Sequence, residues 1–344
     1  MNEKRETDTG SGISPVGPSN KVKAAIRKAV KRIADTPDPE SSRLRRSLAS
    51  KFRIPEEGFV FGNSIKELVH LIIGVVRPKR VLVIGSSRSI YRDAYAAAGA
   101  EVSYLYGTEE SGFAVDMETT RQRVEGIDLI FIANPDRITG RLMNKMDMEE
   151  FLRFTADKKT TVVLDESLIE FTEDEGQLRY ASMSKHIIVL RTTAFFFGLP
   201  GLELAYAVTS PSVQSVLHRR KCSDINTLAQ EAARAALKDK TYIKLSKKYV
   251  HDEKTLLAKA LGKIRGVTFH GSDSNMFLIK AEGFEREMAQ ALTRAGFLIK
   301  DCGDVQGLGP HFFRMSVMEH DKNKKFVRLL KEVMGDKTGA QVHG

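Results

Sequence analysis

The chain is poor in cysteine and contains no tryptophan: Cys222 and Cys302 are its only two cysteines among 344 residues. Two cysteines cannot build a disulfide framework, and by themselves they cannot supply the four ligands of a structural zinc site. We therefore expect a reducing, cytoplasmic environment and no bound metal.

Long apolar segments are also lacking. No uninterrupted apolar run approaches the roughly 20 residues that cross a bilayer. The longest, around residues 68–76, is short and contains His70. Residues 1–20 are polar and glycine-rich and lack the apolar core of a signal peptide. The sequence predicts neither a membrane contact nor export.

An excess of basic residues is the clearest compositional feature. The 54 Lys and Arg residues against 44 Asp and Glu give a formal net charge of +10. Such a charge suits an anionic partner such as a nucleic acid, a phosphorylated metabolite or a membrane surface. The basic residues are spread along the whole chain, however, without a long block and with few interleaved aromatics, so we do not expect nucleic-acid binding.

Hydrophobic periodicity divides the chain into four segments. Residues 1–20 form an arm, because glycine and proline interrupt every regular period there. Residues 21–240 are predicted to form a large domain, residues 241–335 a small C-terminal α+β domain, and residues 336–344 a frayed tail. The sequence leaves open whether the helices within residues 21–52 pack on the large or on the small domain.

The same periodicity predicts the individual elements. Helices are expected at residues 21–34, 40–52, 65–76, 90–98, 147–155, 173–184, 213–220, 226–237, 240–263, 284–295 and 321–333. Strands are expected at residues 80–84, 101–105, 128–133, 161–165, 186–191, 203–208, 276–279, 297–300 and 311–317. The alternation and the continuous apolar runs predict an α/β fold with a mostly parallel sheet covered by helices.

Seven short segments, taken in order, carry a family resemblance. They are D-T-G-S-G-I-S-P-V-G-P from Asp8, P-D-P-E from Pro37, F-G-N-S-I-K-E from Phe61, N-P-D-R-I-T-G from Asn134, D-E-S-L-I-E-F from Asp165, L-R-T-T-A-F-F-F-G-L-P-G-L-E-L-A-Y from Leu190 and F-R-M-S-V from Phe313. Together they resemble the aminotransferase class I/II family, which has the fold-type I pyridoxal phosphate (PLP) architecture. Within that family the chain is most similar to threonine-phosphate decarboxylase of cobalamin synthesis, and next to histidinol-phosphate aminotransferase.

This resemblance implies a PLP-transferase fold, a homodimer and PLP as cofactor. The family needs a lysine amine that holds the PLP aldehyde as a Schiff base and moves protons. That lysine lies six residues before the glycine corresponding to Gly201, a position held here by Phe195. Because a phenyl ring supplies neither a nucleophile nor a base, we do not expect covalent PLP attachment at this position.

Other implied cofactor contacts are altered as well. The arginine that pairs with the cofactor phosphate aligns with Glu203, whose charge would repel a phosphate. The tyrosine that bonds to the ring hydroxyl aligns with Leu168, and the asparagine that contacts the same oxygen aligns with Arg137. The aromatic residue that stacks on the ring aligns with Arg88, and Ile65 replaces a small hydroxyl residue.

The remaining implied contacts are retained. By the resemblance, Asp165 pairs with the pyridine nitrogen and Arg314 clamps a substrate carboxylate. The predicted ligand- or cofactor-binding residues are therefore Asp165, Asn134, Ser64, Thr192, Arg137 and Arg88, with Arg314 for the carboxylate and no catalytic residue. The residues alone leave alternatives: Asp165 fits a helix cap as well as a ligand contact, Arg314 fits a structural ion pair, and the two substituted arginines fit solvated positions.

Two further features have structural explanations. The run Phe195-Phe196-Phe197 is expected to pack in the core and to fill a vacated cofactor cavity. Lys185 ends an S-M-S-K segment that mimics a PLP lysine motif, but it precedes a whole predicted strand and is expected to be a surface residue.

The predicted function is that of a degenerate homologue that binds a small anionic, amino-acid-like ligand without Schiff-base chemistry. One alternative is an active PLP-dependent aminotransferase or decarboxylase that uses a non-standard lysine. Another is a regulatory or structural subunit that pairs with an active paralogue.

Overall fold

Thirteen strands and twelve α-helices lie in the residues that the computed structural model describes, 6–85, 91–283 and 286–335. The strands are β1 (Thr7–Asp8), β2 (Phe59–Gly62), β3 (Arg80–Ile84), β4 (Glu101–Leu105), β5 (Leu129–Ala133), β6 (Thr161–Asp165), β7 (Ile187–Thr192), β8 (Ala205–Val208), β9 (Val267–His270), β10 (Met276–Ala281), β11 (Phe297–Leu298), β12 (Lys300–Asp301) and β13 (Phe312–Ser316). The helices are α1 (Asn20–Val30), α2 (Ser42–Phe52), α3 (Ile65–Val76), α4 (Arg92–Ala97), α5 (Met117–Gln122), α6 (Lys145–Asp157), α7 (Leu178–Met183), α8 (Pro211–Arg219), α9 (Thr227–Lys238), α10 (Lys240–Leu261), α11 (Arg286–Arg294) and α12 (His320–Gly335). None of the helices in these ranges is long and apolar enough to cross a bilayer.

The larger sheet has seven strands in the order β2-β8-β7-β6-β5-β3-β4. The five strands β3 to β7 run parallel, whereas β8 is antiparallel to both of its neighbours, β7 and β2. Alternate side chains of a strand point to opposite faces. In β5, Ile130 and Ile132 belong to one buried cluster and Leu129 and Phe131 to the other. Both faces are therefore covered, and the predicted mostly parallel sheet is confirmed.

The smaller sheet is antiparallel and has four strands in the order β12-β13-β10-β9. Helix α12 packs against α10 and α11, and α10 also contacts β9. The N-terminal arm reaches this part of the chain, because β1 pairs in parallel with β11. The division into a large domain ending at residue 240 and a small domain after it stays a prediction.

Helices α1 and α2 pack against α9. Val22 and Ala232 share one buried cluster, and Arg32 and Arg43 both pair with Glu231, at 3.2 and 2.8 Å. The sequence left open whether these helices pack on the large or on the small domain, and their partner α9 lies within residues 21–240, the predicted large domain.

Several predicted boundaries differ from the observed ones for local reasons. The helix expected at residues 173–184 is reduced to α7, because the Gln177 N–H bonds to Glu166 Oε1 at 2.6 Å and Gly176 has a φ of 70°. The strand expected at residues 297–300 is split between two partners: β11 pairs with β1, and β12 pairs with β13. Strands β1, β2 and β9 and helix α5 were not predicted, and these short elements of two, four, four and six residues show little periodic pattern.

Candidate functional site

Three of the predicted site residues meet at the carboxyl ends of neighbouring parallel strands. Asn134 directly follows β5, Asp165 ends β6 and Thr192 ends β7. The Asn134 N–H donates to the Asp165 carbonyl oxygen at 2.9 Å, and the Asn134 side-chain oxygen accepts the Met143 N–H at 2.8 Å. Open parallel sheets bind their ligands at this edge.

The Asp165 carboxylate is almost fully buried, and each of its two oxygens has its own partners in the chain. Its Oδ1 atom accepts the Ser167 N–H at 2.9 Å and also the Ser167 hydroxyl, so this oxygen caps the following turn. Its Oδ2 atom accepts the Tyr91 hydroxyl at 3.1 Å and lies 3.6 Å from Arg137 Nη1. Burial and the neighbouring Asp165 charge raise the pKa of Tyr91 well above its ordinary value, so the phenol keeps the proton that it donates.

Arg137 lies between Asp165 and Phe195. Its guanidinium carbon is 4.6 Å from the centre of the Phe195 ring, a cation–π contact. Burial alone would lower the pKa of Arg137, but the Tyr91 and Asp165 oxygens outweigh burial and raise it. The guanidinium is thus held as a cation. The sequence left open whether Arg137 binds an anion or is solvated.

The phenylalanine run divides between the core and the site. Phe196 and Phe197 are buried in the main core, where their rings meet edge to face with centres 5.1 Å apart. Phe195 is half-buried, and its carbonyl oxygen accepts the Ser14 N–H of the arm at 2.9 Å. Phe195 also packs against the main core, as expected for the whole run, and the Arg137 guanidinium lies over its ring.

The start of α3 is occupied by oxygens of the chain itself. Ser64 Oγ accepts the Glu67 N–H at 3.1 Å. Glu203 Oε1 accepts the Ile65 N–H at 3.3 Å and the Thr192 hydroxyl at 2.9 Å. A helix N-terminus favours an anion, and the anion at this one is the Glu203 carboxylate.

Arg314 joins the smaller sheet to the site. It lies in β13, is half-buried, and donates Nη1 to the Arg137 carbonyl oxygen at 2.6 Å. Its Nη2 atom donates to the Gly10 carbonyl oxygen of the arm. The side chain therefore fixes the arm and the loop after β5 beside one guanidinium group.

Arg88 and Lys185 were also singled out in the sequence. Arg88 lies outside the described residues. Lys185 is exposed and precedes β7, whereas Thr192 ends that strand. The strand between them is about 20 Å long at roughly 3.3 Å per residue, so Lys185 is at the opposite edge of the sheet.

Tyr91 and the hydrogen-bonding role of Glu203 were missed by the sequence reasoning. Tyr91 lies 74 residues before Asp165 and belongs to none of the seven resembling segments. Glu203 was noted only as a charge unsuited to a phosphate, and the backbone N–H that it accepts lies 138 residues away. In the described ranges, no group of three or more His, Cys, Asp or Glu residues could hold a metal ion.

Known proteins are similar to this chain over nearly its whole length. The family model of aminotransferase class I and II matches residues 6–330. A putative threonine-phosphate decarboxylase of Caldanaerobacter subterraneus subsp. tengcongensis is 28% identical, with 93% of this chain and 88% of that protein covered. The crystal structure of histidinol-phosphate aminotransferase from Clostridium acetobutylicum has a TM-score of 0.87 at 27% identity, covering 96% of this chain and 99% of that one.

A further solved structure is that of histidinol-phosphate aminotransferase from Sinorhizobium meliloti in complex with pyridoxal-5'-phosphate. It has a TM-score of 0.85 at 21% identity and covers 97% of this chain and 92% of that one. The expected PLP-transferase fold is confirmed by these likenesses. With the family model spanning residues 6–330, this chain belongs to the aminotransferase class I and II family.

Proposed function

We propose that this chain is a member of the family that carries out no Schiff-base chemistry and binds a small anionic, amino-acid-like ligand through Arg314 and Arg137. The observation that carries the proposal is the stack of the Arg137 guanidinium on Phe195, with the same guanidinium paired to Asp165. Arg137 thereby pairs with the Asp165 carboxylate, which by the resemblance would pair with the pyridine nitrogen of PLP.

The residues at the site do not fit covalently bound PLP in two respects. Phe195 has no amine that could condense with an aldehyde. Glu203 places a carboxylate at the first turn of α3, where it accepts the Ile65 N–H. A cofactor phosphate would have to displace this carboxylate or lie beside a like charge. The charge of Glu203 also contributes to the raised pKa of Arg137, so this carboxylate favours the charged guanidinium.

The ligand class follows from the two half-buried guanidinium groups. The Arg314 guanidinium bonds to the backbone of Gly10 in the arm and of Arg137, and the Arg137 guanidinium lies at Asp165 and Phe195. Arg binds carboxylate and phosphate groups in a bidentate manner, and partial burial strengthens such contacts. The relatives named above carry the names of phosphorylated amino-acid-like substrates, threonine phosphate and histidinol phosphate.

Reductive trapping with borohydride tests the absence of Schiff-base chemistry. The full chain is incubated with PLP, reduced and digested, and each lysine is examined by mass spectrometry. We expect no stoichiometric pyridoxyl adduct on any single lysine. A stoichiometric adduct on one lysine, lost when that lysine is replaced, would contradict the proposal and favour an active enzyme with a non-standard lysine.

Two variants provide the matched positive control for this experiment. Phe195→Lys restores only an amine, whereas Phe195→Lys combined with Arg137→Asn and Glu203→Arg also restores the residues that the resemblance implies. We expect the triple variant to be trapped at the introduced lysine more completely than the single variant. Equal trapping of the two would show that Arg137 and Glu203 do not obstruct the cofactor.

Calorimetric titration with O-phosphothreonine and histidinol phosphate tests the ligand class. Because a charge-assisted hydrogen bond contributes about 1.5–3 kcal/mol, Arg314→Gln is expected to weaken binding by roughly tenfold or more. Lys300→Gln is the matched control, because Lys300 is the exposed register partner of Arg314 on the adjacent strand. Failure of both compounds to bind, or equal affinities of the two variants, would contradict the ligand assignment.

Three finer expectations from the resemblance belong to the same proposal: a homodimer, a cytoplasmic location and a link to cobalamin synthesis. The first is open to sedimentation analysis of the protein from its native host. Copurification of a lysine-bearing paralogue at fixed stoichiometry would instead favour the regulatory-subunit alternative.

A further inference from the structure

A basic groove lies on the surface between α2, the end of α9 and the start of α10, away from the site described above. It consists of two adjoining cavities of about 930 and 320 Å³, which share Ser47, Ser50 and Lys238. Together we call these two cavities the basic groove. Ten Lys and Arg side chains line them, against only two carboxylates, Glu173 and Asp252. A single surface with ten basic side chains is thus formed by residues that lie up to some two hundred positions apart in sequence.

Six of these ten cations form no ion pair among the described residues, and five of the six have no hydrogen-bond partner there either. Lys247 and Lys248 pair with the two carboxylates, at 3.4 and 2.8 Å, Arg43 and Arg234 share Glu231 behind the groove, and Lys51 donates to a backbone oxygen. The other five are exposed and form no ion pair among the described residues: Arg46, Arg53, Lys238, Lys240 and Lys244. Five like charges left without partners around one concavity favour a bound polyanion.

The spacing of the cations on α10 favours a repeating anion. Lys240, Lys244 and Lys247 recur every three or four residues, so they lie along one face of the helix, one turn of about 5.4 Å apart. Arg46 and Arg53 belong to another element, α2 and its C-cap, and line the smaller and the larger cavity, respectively. Cations that extend over both cavities from separate helices suit an extended chain of negative charges.

The lining distinguishes a phosphate backbone from a protein partner. Protein interfaces have apolar and aromatic centres from which lysine is depleted, whereas Leu237 and Ile243 are the only aliphatic side chains among the described residues of the basic groove. No Phe, Tyr or Trp is among the described residues that line the basic groove, and the imidazole of His251 is the one ring there, so a row of stacking platforms for unpaired bases is not provided. Interfaces with nucleic acids are strongly basic, and their phosphate contacts carry no sequence information.

We propose that the basic groove binds the sugar–phosphate backbone of double-stranded nucleic acid without reading its base sequence. The dispersal of basic residues along the sequence argues against nucleic-acid binding. In the folded chain, however, three helices bring this set of basic residues together on one surface.

Fluorescence anisotropy of the full chain with labelled duplexes of about 20 base pairs, in DNA and RNA forms, tests the proposal. With five unpaired cations the slope of log K against log salt is expected to be about −4.5, a loss of roughly 500-fold in affinity between about 50 and 200 mM salt. Unrelated duplex sequences are expected to bind within about threefold of each other. Comparison of the DNA and RNA arms identifies which backbone is preferred.

The decisive variant is Lys240→Glu combined with Lys244→Glu, which is expected to weaken binding at least tenfold and to reduce the slope by about two. Lys324→Glu combined with Lys331→Glu is the matched control, because it changes the net charge equally at exposed positions on α12. Both variants are first checked for unchanged melting temperature. No duplex binding at low salt, binding of inorganic polyphosphate alone, or equal losses in the two variants would overturn the proposal.

Discussion

A buried ionic cluster lies on the face of the sheet opposite to the candidate site. Arg191 precedes Thr192 in β7, so the two side chains point to opposite faces. Arg191 donates Nε and Nη2 to Glu166 Oε2 at 2.9 and 2.7 Å, and Nη1 lies 3.6 Å from Glu170 Oε1. Burial raises the pKa of both glutamates even though Arg191 opposes it. Pairing with Arg191 therefore offsets part of the free-energy cost of burying these two carboxylates in the core.

Replacement of Arg191 by leucine is expected to destabilise the protein by about 3–5 kcal/mol, because it leaves buried carboxylates without their partner. Urea unfolding at neutral pH measures the loss. Arg43→Leu is the matched control: its exposed pair with Glu231 is expected to contribute less than about 1 kcal/mol. Similar losses in the two variants would mean that the buried cluster has little stabilising effect.

The residues of the candidate site differ in how far the sequence could predict them. Asn134, Asp165 and Thr192 follow or end apolar strands, so the pattern of a parallel sheet alone indicates that they share an edge. Tyr91 and Glu203 reach the same place through contacts of 74 and 138 residues in sequence separation. Local pattern holds no information on such pairs, and only the packed structure shows them.

At the scale of the element, the start of α3 depends on three acceptors, two of them local and one from a distant segment. Ser64 caps the helix from within, and Glu67 accepts the Asn63 N–H at 2.8 Å. Glu203 comes from the turn before β8 and ties the helix to Thr192 in β7. The helix start and the sheet are thus joined by one carboxylate.

Removal of this carboxylate is expected to lower stability in a graded way. Glu203→Ala loses both accepted bonds, at a cost of about 1–3 kcal/mol. Glu203→Gln keeps an oxygen that can accept both and is expected to cost less than half as much. Thermal and urea unfolding distinguish the two, and equal losses would show that the charge matters and the bonds do not.

Strand β9 carries a pH-sensitive side chain. His270 contacts Phe113 edge to face, with ring centres 4.8 Å apart, and its Nε2 atom is buried without a hydrogen-bond partner among the described residues. Burial lowers the pKa of His270, and the charge of Glu109 only partly opposes this. The folded state therefore prefers the neutral ring.

Because of His270, the stability of the folded state is expected to decrease as the pH is lowered. Because the folded pKa is below the unfolded value of about 6.5, the contribution of His270 is complete above that pH and is lost as the pH falls towards the folded pKa. Urea midpoints at pH values across this window should decline less steeply for His270→Gln than for the wild type. The exposed His251→Gln is the control, and an unchanged decline in His270→Gln would exclude His270 as its source.

At the scale of the whole molecule, the N-terminal arm connects the four-stranded and the seven-stranded sheets. Its strand β1 forms a separate two-stranded sheet with β11, the Thr9 carbonyl oxygen accepts the Ser316 N–H of β13, and the Gly12 carbonyl oxygen accepts the Asn275 side chain at 2.9 Å. On the other side, Ser14 bonds to the backbone of Phe195 at 2.9 Å, and the Gly17 oxygen accepts the Tyr242 hydroxyl at 2.7 Å. The sequence predicted an arm because turn residues interrupt every period. Its path was not predictable, because backbone pairing across about 290 residues leaves no periodic signal.

The arm also passes close to Gly198, which has a φ of 63°. A Cβ atom at Gly198 would lie 2.9 Å from the backbone carbons of Gly17, which cannot move without displacing the arm. Gly99 has a similar φ of 65° but open space around its Cβ position. The two glycines therefore share the same backbone strain on substitution and differ only in the contact with the arm.

Gly99→Ala is expected to cost about 1–2 kcal/mol, the penalty of the left-handed conformation. Gly198→Ala should cost that amount plus about 1–3 kcal/mol for the overpacked contact. Urea unfolding measures both, and limited proteolysis should cleave the arm faster in Gly198→Ala alone. If the two variants lost the same stability and their arms were cleaved at the same rate, the arm would not be held by the loop that follows β7, and its bridging of the two sheets would depend on the smaller sheet only.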